Sequence, residues 1–337
     1  MKEIGSDFWK AELKISDIRF LLSGRTALEY IIRDIIFTRK INSVLMPSYC
    51  CYTMLEPFIR HGVDVRFYDV FFDGKCLCIK MPKPKEYEAV FLIKYFGYQR
   101  TYGLDTEELK RMKNIIIEDR THSWLNKIEQ IYDYSFISYR KWTGVGSIAL
   151  AEKREGKFSI PLPKRINNQY EDLKNRAEFL KTEYIEKEKG EKEKFLELYK
   201  KSEESLKEYV DCIPSYKSMY KLCNLDLEKI VNARRQNALW LLQEIKNISG
   251  IIPIFEKIEA SDVPLFVPVL IEPNKRDKIR KYLISKDIYC PVHWPLSQFH
   301  KLEEKSKQIY EMELSLLCDQ RYTIDDMKKI VNALKNI

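Results

Sequence analysis

Residues 114–141 read NIIIEDRTHSWLNKIEQIYDYSFISYRK, two short apolar runs that each stop on groups able to do chemistry. The first, Asn114–Ile117, is apolar without alternation, the pattern of a strand buried on both faces of a parallel sheet. It continues into Glu118 and Asp119, so Asp119 arrives at the carboxyl end of the strand. In open α/β sheets that edge is where ligands bind. The second run, Asp133–Ser138, leads through Tyr139 and Arg140 to Lys141 and then to a turn containing Gly144 and Gly146. Lys141 is thereby placed at a strand end and not on a solvated helix.

Further runs at Ser43–Met46, Val65–Val70, Ala89–Lys94 and Ser147–Ala151 are separated mostly by helical or turn segments. Strands alternating with helices predict an α/β fold with a mostly parallel sheet covered on both faces. Leu28, Ile31, Ile32, Ile35 and Ile36 mark one face of a helix that opens at Ser23-Gly24-Arg25-Thr26. From Ile166 to Val231 the composition shifts to Glu, Lys, Leu and Tyr, and Glu186–Lys194 alternates charges about Gly190. This predicts a connector of helices with solvated faces and a turn near Gly190. A helix from Leu239, the run Pro264–Ile271, a helix over Lys275–Ser285, Ile288–Val292 and a last helix over Ile324–Leu334 predict a smaller α+β unit. The division expected is a large domain with its connector over 1–231 and a small domain over 232–337.

Apolar residues at 45% and charged residues at 32% describe a folded globular protein. No apolar stretch is long enough to span a bilayer, and residues 1–14 lack the apolar core of a signal peptide, so a cytoplasmic protein without membrane contact is expected. Eight scattered cysteines then read as reduced thiols. Cys50 and Cys51 are adjacent, and Cys76 and Cys78 stand closer than the usual zinc pair with no histidine at finger spacing, so no metal is expected. The net charge of +8 is spread along the chain without a basic block interleaved with aromatics, which argues against nucleic acid. A mildly basic cleft suits a phosphorylated cofactor or a nucleotide-linked substrate.

Three provisions occur in order along the chain: a helix start at 23–26, an acid after one strand and a lysine after the next. Pyridoxal phosphate (PLP) asks for the same three, an anion site for its phosphate, an acid for its ring nitrogen and an amine for its aldehyde. In that reading Lys141 carries the cofactor as a Schiff base and shuttles protons, and Asp119 keeps the pyridine nitrogen protonated. His122 contacts the phenolic oxygen or lies against the ring, while Ser23, Gly24, Arg25, Thr26 and Ser138 receive the phosphate. Each residue also has a plainer alternative: capping for Ser23, Thr26 and Asp119, and a satisfied structural histidine for His122.

The segments resemble the DegT/DnrJ/StrS-like family of PLP-dependent sugar aminotransferases. Ser23–Leu28 is similar to its phosphate-binding helix start, Val44–Cys50 through Phe67–Val70 to its next β-α-β unit, Ile117–His122 to the pyridine-binding segment and Phe136–Lys141 to the Schiff-base segment. Pro264–Pro268, Asp287–Trp294 and Leu316–Tyr322 resemble its small domain. The resemblance implies the fold-type I architecture, a homodimer, and amino transfer from an amino acid to a nucleotide-linked keto-sugar in polysaccharide or secondary-metabolite biosynthesis. Gly144-Val-Gly146-Ser147 replaces a Gly-Gly pair, Lys94 stands where a histidine is common, and Cys50-Cys51 occupies the neighbourhood of the ring-stacking aromatic, leaving Tyr49 and Tyr52 as candidates. His293, Trp294 and Arg321 are candidates to face the substrate. Two alternatives stay open: another PLP reaction such as a dehydratase or lyase, against which Lys141 argues because the sugar dehydratases carry histidine there, and a non-catalytic interaction protein of the same fold.

Overall fold

The computed structural model describes residues 16–83, 86–99, 103–111, 113–127, 131–206, 211–300 and 302–336. The amino-terminal stretch read for a signal peptide lies outside the described residues. Eight strands form one sheet: β1 (Asp17–Leu21), β2 (Ser43–Pro47), β3 (Asp64–Phe72), β4 (Leu77–Lys80), β5 (Ala89–Ile93), β6 (Ile115–Asp119), β7 (Tyr134–Ser138) and β8 (Ala149–Lys153). Their order is β1-β8-β7-β6-β5-β2-β3-β4. The centre is parallel, with β2 on β3, β5 on β2, β6 on β5 and β7 on β6, and both margins are antiparallel. Every residue of β5 (AVFLI) is buried, which is why it reads as a continuous apolar run, and β7 (YSFIS) is buried throughout as well, its Ser135 bonding to Glu152. The sequence reading missed the margins. Here β1 (DIRFL) and β4 (LCIK) mix charged or exposed positions with buried ones, as edge strands do.

Helix α1 (Gly24–Thr38) lies across β7 and β8 with its apolar face buried. Ser23 closes its first turn in a capping box with Thr26: Thr26 Oγ1 accepts from the Ser23 amide at 2.7 Å, and Ser23 Oγ accepts from the Thr26 amide at 3.3 Å. On the same helix the fully buried Asp34 accepts from Tyr134 Oη at 2.8 Å and Lys153 Nζ at 2.9 Å, tying α1 to the two strands beneath it. Short helices α2 (Glu56–Arg60) and α3 (Thr106–Arg111) follow in the β2–β3 and β5–β6 crossovers.

The connector contains β9 (Arg165–Ile166), α4 (Asn168–Lys187), α5 (Lys192–Ser205), β10 (Cys212–Ile213) and α6 (Tyr216–Cys223). The turn between α4 and α5 holds Gly190 at a φ of 89°, where the charge pattern put it. The remainder builds on α7 (Leu227–Ile245), β11 (Ile251–Pro253), β12 (Val267–Ile271), α8 (Arg276–Ser285), α9 (Glu304–Met312), β13 (Glu313–Leu316) and α10 (Ile324–Lys335). Strands β11-β12-β13 make an antiparallel sheet that shares its own apolar core with α7, α8 and α10. Capped by Asp226, α7 starts twelve residues before the expected Leu239 and runs through position 231. Ile288–Val292 is irregular. Among the described residues no helix is long and apolar enough to cross a membrane.

The two cores meet where the loop after β5 runs beside the segment before β12. Leu265 donates its amide to the Phe96 carbonyl at 2.8 Å, and Val263 donates to Gly97 at 3.2 Å. Gly97 has a φ of 85°, and a Cβ there would lie 2.0 Å from the Val263 carbonyl oxygen. Gly97→Ala should therefore lose at least about 2 kcal/mol of stability, while Gly144→Ala, at a site with open space and ordinary φ, should stay within about 0.5 kcal/mol of the parent. Urea unfolding of both variants checks the contrast.

Candidate active site

The adjacent carboxyl ends of β6 and β7 bring Asp119 and Ser138 to one edge, and Thr121 joins them. Its amide donates to Asp119 Oδ1 at 2.8 Å, its Oγ1 accepts from the Ser138 amide at 3.2 Å, and its carbonyl accepts from Trp142 Nε1 at 2.6 Å. Lys141 lies between, in a single 3-10 turn over Tyr139–Lys141. The peptide that follows it is gripped from the other core: the Trp142 carbonyl accepts from Arg234 Nη2 at 3.1 Å and from Gln320 Nε2 at 2.7 Å. Arg234 is buried, spans to the Leu265 carbonyl at 3.0 Å and lies 4.7 Å from the Trp142 ring centroid. The turn carrying the lysine is thus fixed by side chains from both cores. Arg234 belongs to no segment that the sequence singles out, and Gln320 lies within Leu316–Tyr322, where no local pattern marks it as a site residue.

Gly24, at the first turn of α1, faces Ser138: a Cβ on Gly24 would stand 3.2 Å from Ser138 Cβ and 3.7 Å from its Oγ. Ser138 Oγ is buried and has no hydrogen-bond partner among the described residues. It borders the helix start, where backbone amides lack intrahelical acceptors and the dipole is positive. Ser23 and Thr26 spend their side chains on the capping box. Arg25 lies 3.8 Å from Glu203, which also forms a paired salt bridge with Arg140. With Thr26, Tyr52 and Phe299, Arg25 lines a cavity of about 440 Å³ beside this helix start, which Lys141 and Asp119 do not line.

Lys141 is exposed, yet protein mass crowds its amine; that crowding and the Arg140 guanidinium lower its pKa, while Cys51, Glu203 and Asp119 oppose the shift. Asp119 is pushed up to about 6 by burial, against the hydrogen bonds from Thr121 and the charge of Lys141. No neighbour gives this carboxylate a direct ion pair among the described residues. His122 is buried, its pKa is well below the usual histidine value through burial, and its Nδ1 is unpartnered among the described residues. It stacks on Trp294 at 5.4 Å and meets Phe96 at 5.4 Å and His293 at 5.3 Å.

His293 is set by a hydrogen-bonded chain: its Nδ1 meets Ser315 Oγ at 2.9 Å, Ser315 reaches Glu313, and Glu313 also accepts the His293 amide at 2.6 Å. Burial raises Glu313 to about 8 and lowers His293 to about 3. Tyr49 is fully buried; its hydroxyl donates to the His293 carbonyl and its ring packs against Tyr95, Trp294 and Tyr310. Tyr52 is partly exposed at the cavity beside α1, apart from that cluster. Arg321 is held by Asp319 at 2.8 Å through two of its nitrogens. Cys51, which has no aromatic ring, acts electrostatically on Lys141 and Arg140.

The raised Asp119 has a consequence for stability. An acid whose folded pKa of about 6 exceeds its unfolded value, about 3.9, loses stability for the fold as pH rises between the two. Asp119→Asn, in the protein alone, should be more stable than the parent by on the order of 1–2 kcal/mol above pH ~6, with the difference gone below pH ~4. Urea melts of both proteins across this range test it.

No family model and no curated protein matches the sequence. Solved structures do. Helicobacter pylori PseC, an aminotransferase of pseudoaminic acid biosynthesis, aligns at 13% identity and TM-score 0.65 over 95% of this chain and 86% of its own. The sugar aminotransferase CalS13 of Micromonospora echinospora gives 13% identity and TM-score 0.63 over 95% and 87%. An E. coli GDP-4-keto-6-deoxy-D-mannose-3-dehydratase with bound hydrated PLP gives 14% and 0.63 over 94% and 87%. At such identities the likeness speaks for architecture: the chain has the PLP fold-type I fold of these sugar aminotransferases.

Proposed function

We propose that this chain is a PLP-dependent aminotransferase that moves an amino group from an amino acid to a nucleotide-linked keto-sugar, acting as a cytoplasmic homodimer. The observation that carries the reading is a pair of buried polar atoms without partners among the described residues, Ser138 Oγ beside the start of α1 and His122 Nδ1, near the strand ends that carry Asp119 and Lys141. Native proteins seldom leave such atoms unpaired. A phosphorylated, hydroxylated pyridine offers a partner to each.

When bound, PLP supplies a ring that draws electrons from the carbon bearing the amine. The amides of Gly24 and Arg25 at the helix start and the Ser138 hydroxyl would hold the phosphate, where the helix dipole adds favourable charge. Asp119, its carboxyl raised by burial, would hold a proton on the ring nitrogen in an ion pair. Lys141, with its lowered pKa, more readily presents a neutral amine that can bond to an aldehyde and afterwards take and return a proton at Nζ. His122 stays neutral between Trp294 and Phe96 and offers Nδ1 to a ring substituent. Lys141 itself favours amino transfer over the dehydratase chemistry of one structural neighbour.

Purified protein given PLP is expected to show a visible-edge absorbance trapped by borohydride, which Lys141→Ala abolishes. Ser138→Ala should weaken PLP affinity roughly tenfold, the equivalent of one charge-assisted hydrogen bond. Label from glutamate nitrogen should reach a nucleotide-linked keto-sugar. Absorbance unchanged by Lys141→Ala would overturn the assignment.

A further inference from the structure

Apart from the candidate active site, the tip of the β3–β4 hairpin gathers three donor groups. Cys76 Sγ lies 3.6 Å from Cys78 Sγ, and 3.6 and 3.7 Å from the two carboxylate oxygens of Asp73. A tetrahedral zinc with bonds of about 2.3 Å to sulfur and about 2.0 Å to oxygen holds two sulfurs about 3.8 Å apart and a sulfur and an oxygen about 3.5 Å apart. The measured separations match both edges, so a small adjustment lets one ion sit among all three groups. The carboxylate is already oriented: the amides of Lys75 and Cys76 each donate to Asp73 Oδ1 at 2.9 Å and hold its pKa down to about 2. Cys76 also lines a small cleft of about 80 Å³ with Glu256, whose charge acts on its thiol.

The geometry explains why a spacing rule overlooks the pair. Zinc loops separate their cysteines by two or more residues because the chain must curl around the ion. Here Cys78 lies in β4 and Cys76 in the bend just before it, and the tight hairpin tip brings both thiols together without a longer loop. We propose that Asp73, Cys76 and Cys78 form a site for a thiophilic divalent cation of the zinc class, bound by two thiolates and one carboxylate. Each thiol gives up its proton as its sulfur bonds to the ion, so two protons leave per ion and no electron moves. The ion would pin the outermost hairpin of the large sheet, whose strand β4 is an edge.

The test uses the full chain, reduced and freed of metal, titrated with cadmium and zinc. One equivalent of cadmium is expected to raise a sulfur-to-metal charge-transfer band, with release of two protons per ion, and zinc bound beforehand is expected to be displaced by cadmium. Cys76→Ser and Cys78→Ser should each weaken binding by at least about tenfold, Asp73→Asn by about tenfold, and Cys223→Ser, at an exposed lone thiol, not at all. An unchanged circular dichroism spectrum shows that the variants fold. No band in the reduced protein, or a band that survives Cys76→Ser combined with Cys78→Ser, overturns the proposal. None of these readouts involves Lys141 or PLP.

Discussion

The carbonyl of Trp142 is the point on which the rest of the arrangement turns. It follows Lys141 directly and receives two hydrogen bonds from Arg234 and Gln320, while the indole of the same residue reaches back to Thr121. Thr121 in turn fixes Asp119 and the end of β7. A lysine side chain has four rotatable bonds, so its amine finds a useful position only if its backbone is immobile. Here that immobility comes from a buried guanidinium whose hydrogen bonds go to main-chain carbonyls and whose face lies on an indole. Arginine suits this task because its planar fork reaches several acceptors at once and keeps its charge when desolvated.

The surrounding electrostatics work against the fold taken alone. Among the described residues Asp119 is a carboxylate without a direct ion pair, Ser138 and His122 hold polar atoms without partners, and Glu313 keeps an acid in a dry place. Each destabilises the native state by an amount on the order of 1–3 kcal/mol when nothing compensates. The aromatic packing of Tyr49, Phe96, His122, Trp294 and Tyr310 and the Asp34 network beneath α1 offset them. Groups held in such disfavoured states cluster where a ligand restores their partners.

Much of this was legible in the chain itself, for identifiable reasons. Strands β5 and β6 sit in the middle of a parallel sheet, so every face selects apolar residues and the run is continuous; the polar residue that ends it then stands out. The start of α1 was legible because capping has a chemical signature. Edge strands β1 and β4 were not, since one side of each is open and no periodicity survives in five or four residues. The early start of α7 escaped because its first turns, Leu227–Asn232, face partly outward and read as connector. Arg234 and Gln320 act through partners 30 to 178 residues away, and Ser315 and Glu313 through His293 about twenty residues before them, relations that no local pattern records. Cys76 and Cys78 were visible, but spacing alone cannot say whether a segment is curled or extended.

The grip on Trp142 also orders events in time. A ribosome delivers the strand with Asp119 and the turn with Lys141 well before α7, and Gln320 later still. Until those later segments arrive the amine has no fixed address, and a nascent chain that has finished its large sheet still lacks the grip on Trp142. The fixing of that turn is thereby deferred until both later segments are made, and a product that stops before them would leave Lys141 ungripped.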